Sequence, residues 1–213
     1  MTKRAGLTGQ QLRKAGTTTV KRRRPMKLNR KGFTLIEIIV VSVCIAILAA
    51  ILIPAIISIA DDAKNSRAVA DCKSIQTALL MFKKDTGSWP YKGIDFNCNT
   101  LNIAYSFSGT LPAFNVNGWT TDDPKIDMTF LRDGTGMNTC AYNNWKGPYL
   151  TQLPPDPWGN KYVINMNALD PNHPAGKNAV WILSAGPNGI IETNVTNLNL
   201  DKPNEDDIGV RLK

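Results

Sequence analysis

The chain has 213 residues, 43% of them hydrophobic, and a formal net charge of +8, a length that suits one or two ordinary domains. The charge is unevenly placed: eleven of the 25 Lys and Arg lie in residues 1–31, which hold no Asp or Glu, whereas from Phe33 onward 14 bases face 17 acids. The basicity therefore belongs to one arm and not to a folded basic surface, which argues against a nucleic-acid-binding domain and leaves "VKRRRP" as the one stretch open to that reading.

After the basic arm, residues 33–60 read "FTLIEIIVVSVCIAILAAILIPAIISIA", with Glu37 as the single charged side chain. The 21 residues from Phe33 to Ile53, at about 1.5 Å each, span roughly 31 Å, the thickness of a bilayer's hydrocarbon core. A cleavable secretory signal has an apolar core of about 7–15 residues; this run is longer and carries an acid, although Ala49-Ala50 keeps that reading open. A basic flank on the N-terminal side predicts a single span with the N-terminus in the cytoplasm and the C-terminal part outside it.

The helical pattern continues past the apolar run. Val69, Cys72, Ile75, Leu79 and Phe82 fall at steps of three and four and predict one apolar face. Asp61, Lys64, Arg67, Asp71, Lys73 and Lys84 supply a wet one. Gly87 is placed as a C-terminal cap and Pro90 as a stop. One helix from Phe33 to about Thr86, roughly 80 Å long, accounts for both halves. Pro54 removes a backbone donor from it and is expected to kink or loosen it.

A lone carboxylate in an apolar helix costs on the order of 2.5–3.5 kcal/mol unless it finds a partner or water. Glu37 lies about 6 Å along the helix from Phe33, so snorkelling relieves part of that cost. Cleavage between Gly32 and Phe33 creates a better partner, an α-amine that is mostly cationic at neutral pH. On a neighbouring chain that amine and Glu37 would set the axial register between packed helices.

Lys31-Gly32-Phe33-Thr34-Leu35-Ile36-Glu37 and the apolar run after it resemble the class III signal of type IV pilins and pseudopilins. The resemblance implies that a prepilin peptidase cuts after Gly32 and methylates Phe33, that Glu37 serves assembly, and that Pro54 is the residue interrupting the long helix. It also implies a bacterial inner-membrane subunit with a periplasmic domain. Leaders of the family are often short, whereas 32 residues precede the cut here. "MKLNRKG" from Met26 resembles a complete leader by itself, so a start at Met26 is expected, with a long leader of 32 residues as the alternative.

Residues 88–213 read as a polar domain with short strands. "KYVINM" (161–166), "AVWILS" (179–184) and "GIIETNV" (189–195) combine β-branched and aromatic residues between turn signals. A short helix is expected near Lys125–Arg132. The predicted architecture is α+β and type IV pilin-like: a long N-terminal helix packed on a small antiparallel sheet. Its segments are a leader (1–32), a transmembrane and assembly half-helix (33–60), an amphipathic half-helix (61–87) and an outer domain (88–213). Residues 93–142 of that domain form a divergent stretch of no assigned role.

"WKGPYLTQLPPDPWGNKYVI" resembles the core signature of the major, G-type pseudopilin of type II secretion, and "SWPYKG" resembles its helix exit. Physically, the Pro and Gly of "PPDPWGN" make a turn, with Trp158 and Tyr162 offering apolar faces to bury. "ILSAGPNG" and "EDDIG" resemble the family's C-terminal loop. There the resemblance implies a structural calcium ion held by an acid in the first turn and another before the final Ile. Asp207, beside Asp206, matches the second position. Asn188 stands at the first, as a neutral ligand, and the intervening loop is longer.

Cys98 and Cys140 fall outside the membrane and can form a disulfide, with Cys72 as a rival partner. Neither a zinc-ligand spacing nor a catalytic motif is present. The single histidine, His173, lies in the turn-like "DPNHPAG", so no catalytic residue is expected.

The reading that unites these features is a structural pseudopilin of type II secretion, forming a homo-oligomeric helical filament that drives export. Its expected partners are minor pseudopilins, prepilin peptidase, the inner-membrane assembly platform and membrane lipid, with no nucleic acid. A type IV pilin or minor pilin for adhesion or DNA uptake shares the architecture. A membrane-anchored periplasmic enzyme or binding protein does not explain Gly32, Phe33 and Glu37 at their spacing.

Overall fold

A computed structural model describes residues 32–92, 100–115, 118–119, 125–134 and 142–213. The chain divides into two compact units, one ending at Leu48 and the other running Ala49–Lys213. A single helix, α1 (Leu35–Thr86, 52 residues), contributes to both. It is continuous through Pro54, so the expected interruption is not a break in secondary structure. A proline that deletes one N–H is tolerated where the rest of the ladder is intact. The helix ends as its sequence predicts: Gly87, at φ 77°, donates its N–H to the Lys83 carbonyl at 2.8 Å, a left-handed cap that suits glycine.

The second unit is built from short strands. They are β1 (Ile103–Tyr105), β2 (Ala113–Phe114), β3 (Lys125–Asp127), β4 (Val163–Asn165), β5 (Trp181–Ser184), β6 (Ile190–Ile191) and β7 (Ile208–Arg211). A short helix, α2 (Thr129–Asp133), follows β3, so the helix expected near Lys125–Arg132 begins four residues later, after a strand. The main sheet runs β3-β1-β4-β5-β7, while β2 and β6 pair separately. The main sheet is mixed, not antiparallel as expected, because β3 joins β1 in parallel. The predicted 189–195 strand is reduced to the two residues of β6.

Strand register sorts the side chains into two cores. Ala104 pairs with Ile126 and Ile164, Ile164 with Ile182, and Ile182 with Val210. That row packs on one face with Cys72, Ile75, Ala78, Leu79 and Phe82 of α1. The alternate residues Ile103, Tyr105, Val163, Trp181 and Leu183 face the other way, against Trp119, Ile191 and Val195. The strand period of two puts successive residues on opposite faces, and here both faces are covered. Ala68 is buried in the helical stripe and Val69 only half-buried, a shift of one residue from the predicted stripe. Tyr162 is fully buried, as expected, while Trp158 stays half-buried outside both cores.

The divergent stretch 93–142 is structural. It supplies β1 and β3 to the sheet and Leu101, Met128, Phe130, Leu131 and Tyr142 to the core. Phe82 meets the rings of Phe130 and Tyr142 edge-on, at 5.8 and 5.2 Å between centroids. At the opposite edge, β7 passes so close to β5 that a Cβ on Gly209 would collide with the Ile182 carbonyl.

Candidate functional site

The segment at the start of α1 is open on all sides. Gly32 is exposed and a Cβ there would meet nothing within 4 Å, so no packing constraint demands a glycine. Phe33 is 76% exposed. Thr34 Oγ1 accepts the Glu37 N–H at 3.3 Å, and the Thr34 carbonyl accepts the Ile38 N–H. Thr34 is therefore the N-cap and Glu37 occupies the third helical position, the T-x-x-E arrangement of a capping box. A carboxylate there is also favoured by the helix dipole. The sequence carries this signal at Thr34 and Glu37, yet the apolar run around them draws the reading toward the membrane alone.

Beyond the cap, α1 is long and apolar enough to cross a membrane, and none of that stretch is buried. Every residue from Leu35 to Ile59 is exposed except the half-buried Ala49. Ser42 satisfies its hydroxyl by donating to the Ile38 carbonyl at 2.8 Å, which removes an unpaired donor from an apolar surface.

Farther along α1, Arg67 and Asp71 of the expected wet face, together with Asp85, hold the outer domain. Arg67 donates to the Pro155 carbonyl at 3.0 Å. Asp71 accepts the Tyr162 hydroxyl at 2.8 Å, and Asp85 accepts that of Tyr149 at 3.0 Å. Burial, followed by the contact with Asp71, pushes the Tyr162 phenol well above its ordinary range. The neutral phenol is thereby kept as a donor. Burial likewise raises the Cys72 thiol; Cys72 is buried and free, so it acts as a small core residue. Cys98 and Cys140 lie outside the described residues.

The "PPDPWGN" turn is organised by a buried acid. Asp156 Oδ1 accepts the N–H groups of Trp158 and Asn160 at 3.0 and 2.7 Å, and its Oδ2 accepts the Ser184 hydroxyl at 2.6 Å. The signature makes a turn and ties it to β5, as its Pro and Gly content suggests. His173 caps the short 3-10 helix Pro174–Lys177 by accepting the Ala175 N–H.

At the C-terminal loop, the residues considered for calcium are turned toward one another. Asn188 Nδ2 donates to Asp206 Oδ1 at 2.7 Å and to Glu192 Oε2 at 3.1 Å. Asp207 Oδ2 accepts the Glu192 N–H, the Thr193 N–H and the Thr193 hydroxyl at 2.8, 2.6 and 2.7 Å. Its other oxygen is buried without a partner, as is Asn204 Oδ1. Burial pushes the Asp207 carboxyl up to about 6, against the lowering effect of those donors. Calcium takes six to eight oxygens. An amide nitrogen standing between Asp206 and Glu192, with its protons on both carboxylates, does not fit that requirement. Among the described residues no group of three or more His, Cys, Asp or Glu side chains is placed to hold a metal ion.

Comparison with known proteins covers both ends of the molecule. The family model for the prokaryotic N-terminal methylation motif matches residues 27–53, and that for type II secretion system protein G matches residues 128–201. The type II secretion system core protein G of Escherichia coli is 30% identical over 175 residues, 81% of this chain and 94% of the relative. The protein of the same name from Pectobacterium carotovorum is 30% identical over 81% of this chain and 87% of its own length. That from Pseudomonas aeruginosa is 35% identical over 62% of this chain and 71% of its own. No solved structure matches the chain.

Proposed function

The chain belongs to the type II secretion system core protein G family and is a pseudopilin subunit of that system; from this we propose that its leader is removed between Gly32 and Phe33, that Phe33 is methylated, and that Glu37 sets the register in which subunits pack into a short helical filament. The half-helix that stays exposed from Leu35 to Ile59 at every residue but Ala49, with Glu37 as its one charge, is the observation that carries this reading. It anchors the subunit in the inner membrane. The basic arm remains on the cytoplasmic side and residues 88–213 on the periplasmic side.

For apolar side chains, leaving lipid for a bundle of equally apolar helices changes little, since lipid tails are as apolar as leucine. The group that gains most is the one lipid serves worst, the Glu37 carboxylate, whose isolation costs on the order of 2.5–3.5 kcal/mol. A methylated Phe33 amine on a neighbouring subunit is a cation at the right depth. Each added subunit thus lowers the cost of one buried acid, and only one axial register does so. Prepilin peptidase is the processing partner, and minor pseudopilins and the inner-membrane platform are the assembly partners. Filament growth then pushes cargo outward.

Co-expression with a prepilin peptidase, followed by mass spectrometry of the product, checks the first step: the mature chain begins at methylated Phe33. An uncut product alongside a processed control substrate would overturn it. Glu37→Ala is expected to insert and be processed while filament yield falls at least tenfold. Wild-type filament yield from that variant would remove Glu37 from the assembly step.

A further inference from the structure

The loop between β5 and β7 belongs to a region where a divalent cation is expected to gather acids, yet the gathering is done by a side-chain amide. Asn188 uses its backbone N–H and both polar atoms of its side chain. Its own N–H reaches Asp206 Oδ2 at 3.1 Å, one amide proton goes to Asp206 Oδ1 at 2.7 Å, and the other goes to Glu192 Oε2 at 3.1 Å. Its Oδ1 accepts the Ile190 N–H at 2.7 Å. That last bond decides the orientation of the amide. A half-turn about the terminal bond would set an NH2 against the Ile190 N–H and a carbonyl oxygen against two carboxylates, an arrangement with repulsion at every position. The side-chain oxygen of Asn188 is therefore committed to β6.

The neighbouring acid is committed through one of its two oxygens, the other staying buried without a partner. Asp207 spends one oxygen on three donors from Glu192 and Thr193, and the Thr193 hydroxyl also accepts the Asn204 N–H at 3.0 Å. Asn188 joins the turn after β5 to the segment before β7 through Asp206, and Asp207 joins that segment to the end of β6. Both connections are made from within the chain.

We propose that Asn188 closes the C-terminal loop in place of a divalent cation, its two amide protons bridging Asp206 and Glu192, so that the outer domain holds its fold without calcium. The chemistry is that of a donor pair standing between two acceptors: hydrogen bonds to charged carboxylates replace metal–oxygen bonds. An acid at position 188 would remove both protons and add a third negative charge. That would recreate a need for a cation, because like charges at hydrogen-bonding distance destabilise one another. This inference concerns loop closure alone and stands or falls separately from filament assembly.

The test is thermal unfolding of the full-length protein in detergent, in a calcium chelator and in millimolar calcium, for wild type and Asn188→Asp. Wild type is expected to melt at the same temperature in both. Asn188→Asp is expected to melt several degrees lower in chelator and to recover in calcium. A wild-type melting point that falls on chelation and rises with calcium would overturn the proposal, as would an Asn188→Asp protein that melts like wild type in chelator. If Asn188→Asp fails to fold without calcium, it is purified in calcium and then chelated, and unfolding on chelation supports the proposal. Terbium luminescence gives an independent readout through metal binding. Saturable, calcium-competed emission from wild type would sink the idea, and its appearance only in Asn188→Asp would support it.

Discussion

The two halves of α1 use the same residue types and differ in what meets them. From Leu35 to Ile59 the side chains are isoleucine, leucine, valine and alanine with hardly a polar break, and they stay exposed. From Ala68 to Phe82 the apolar residues are fewer, yet Ala68, Cys72, Ile75, Ala78, Leu79 and Phe82 are completely buried. Apolar content alone does not decide burial; a stripe at helical spacing can be covered by one sheet, while a helix apolar all round needs an environment on every side. The first half is long and apolar enough to cross a membrane. The second is the spine of the outer domain.

This contrast breaks most sharply at Phe82, which sits fully buried against the rings of Phe130, Tyr142 and Tyr149. Phe82→Ala is expected to cost about 3–5 kcal/mol of outer-domain stability, read by chemical denaturation. A cost below about 1 kcal/mol would mean that the spine is not what holds the domain.

A smaller effect comes from Asp207, whose carboxyl is pushed up to about 6 from 3.8. A folded pKa above the unfolded one means that the fold binds this proton more tightly. The stabilisation from Asp207 is therefore complete below about pH 4 and is lost as pH rises through about 6. Relative to Asp207→Asn, which does not titrate, wild type should lose on the order of 2 kcal/mol between pH 4 and pH 7. A difference that does not change with pH would show that Asp207 is not held in this buried environment.

The smallest effect is expected in the exposed half. Ile47→Ala removes a side chain that is 57% exposed and should change outer-domain stability by no more than about 0.5 kcal/mol. The same change should still lower filament yield, because it takes packing area from the assembling surface. Loss of outer-domain stability there would erase the distinction between the halves.

Much of this architecture was legible locally. The long helix, its Gly87 cap, strands β4 and β5, and the exposed Gly32-Phe33…Glu37 segment all follow from periodicity, capping residues and charge placement, which act over a few residues. Trp158 misled as a core residue because an aromatic in a turn can satisfy its ring partly at the surface. Thr34 carries its cap signal in the T-x-x-E spacing to Glu37, under an apolar run that masks it. The mixed sheet was less accessible. β1 and β3 are three residues each and carry no alternation long enough to announce a strand; they exist because β4 offers β1 an edge. The match to the protein G family model begins at Met128, after both strands.

By itself, the sequence determined which stretch has to leave water, where the basic arm meets the helix and which acid sits at that junction, because those depend on hydropathy and near-neighbour spacing. Only the tertiary structure decided that Asp71 and Asp85 are anchors and not solvated charges, that β1, β3 and α2 complete the sheet and core, and that Asn188 turns its protons toward Asp206. Each of those outcomes depends on a partner more than ten residues away, and which donor meets which acceptor at that range is settled by how the strands pack.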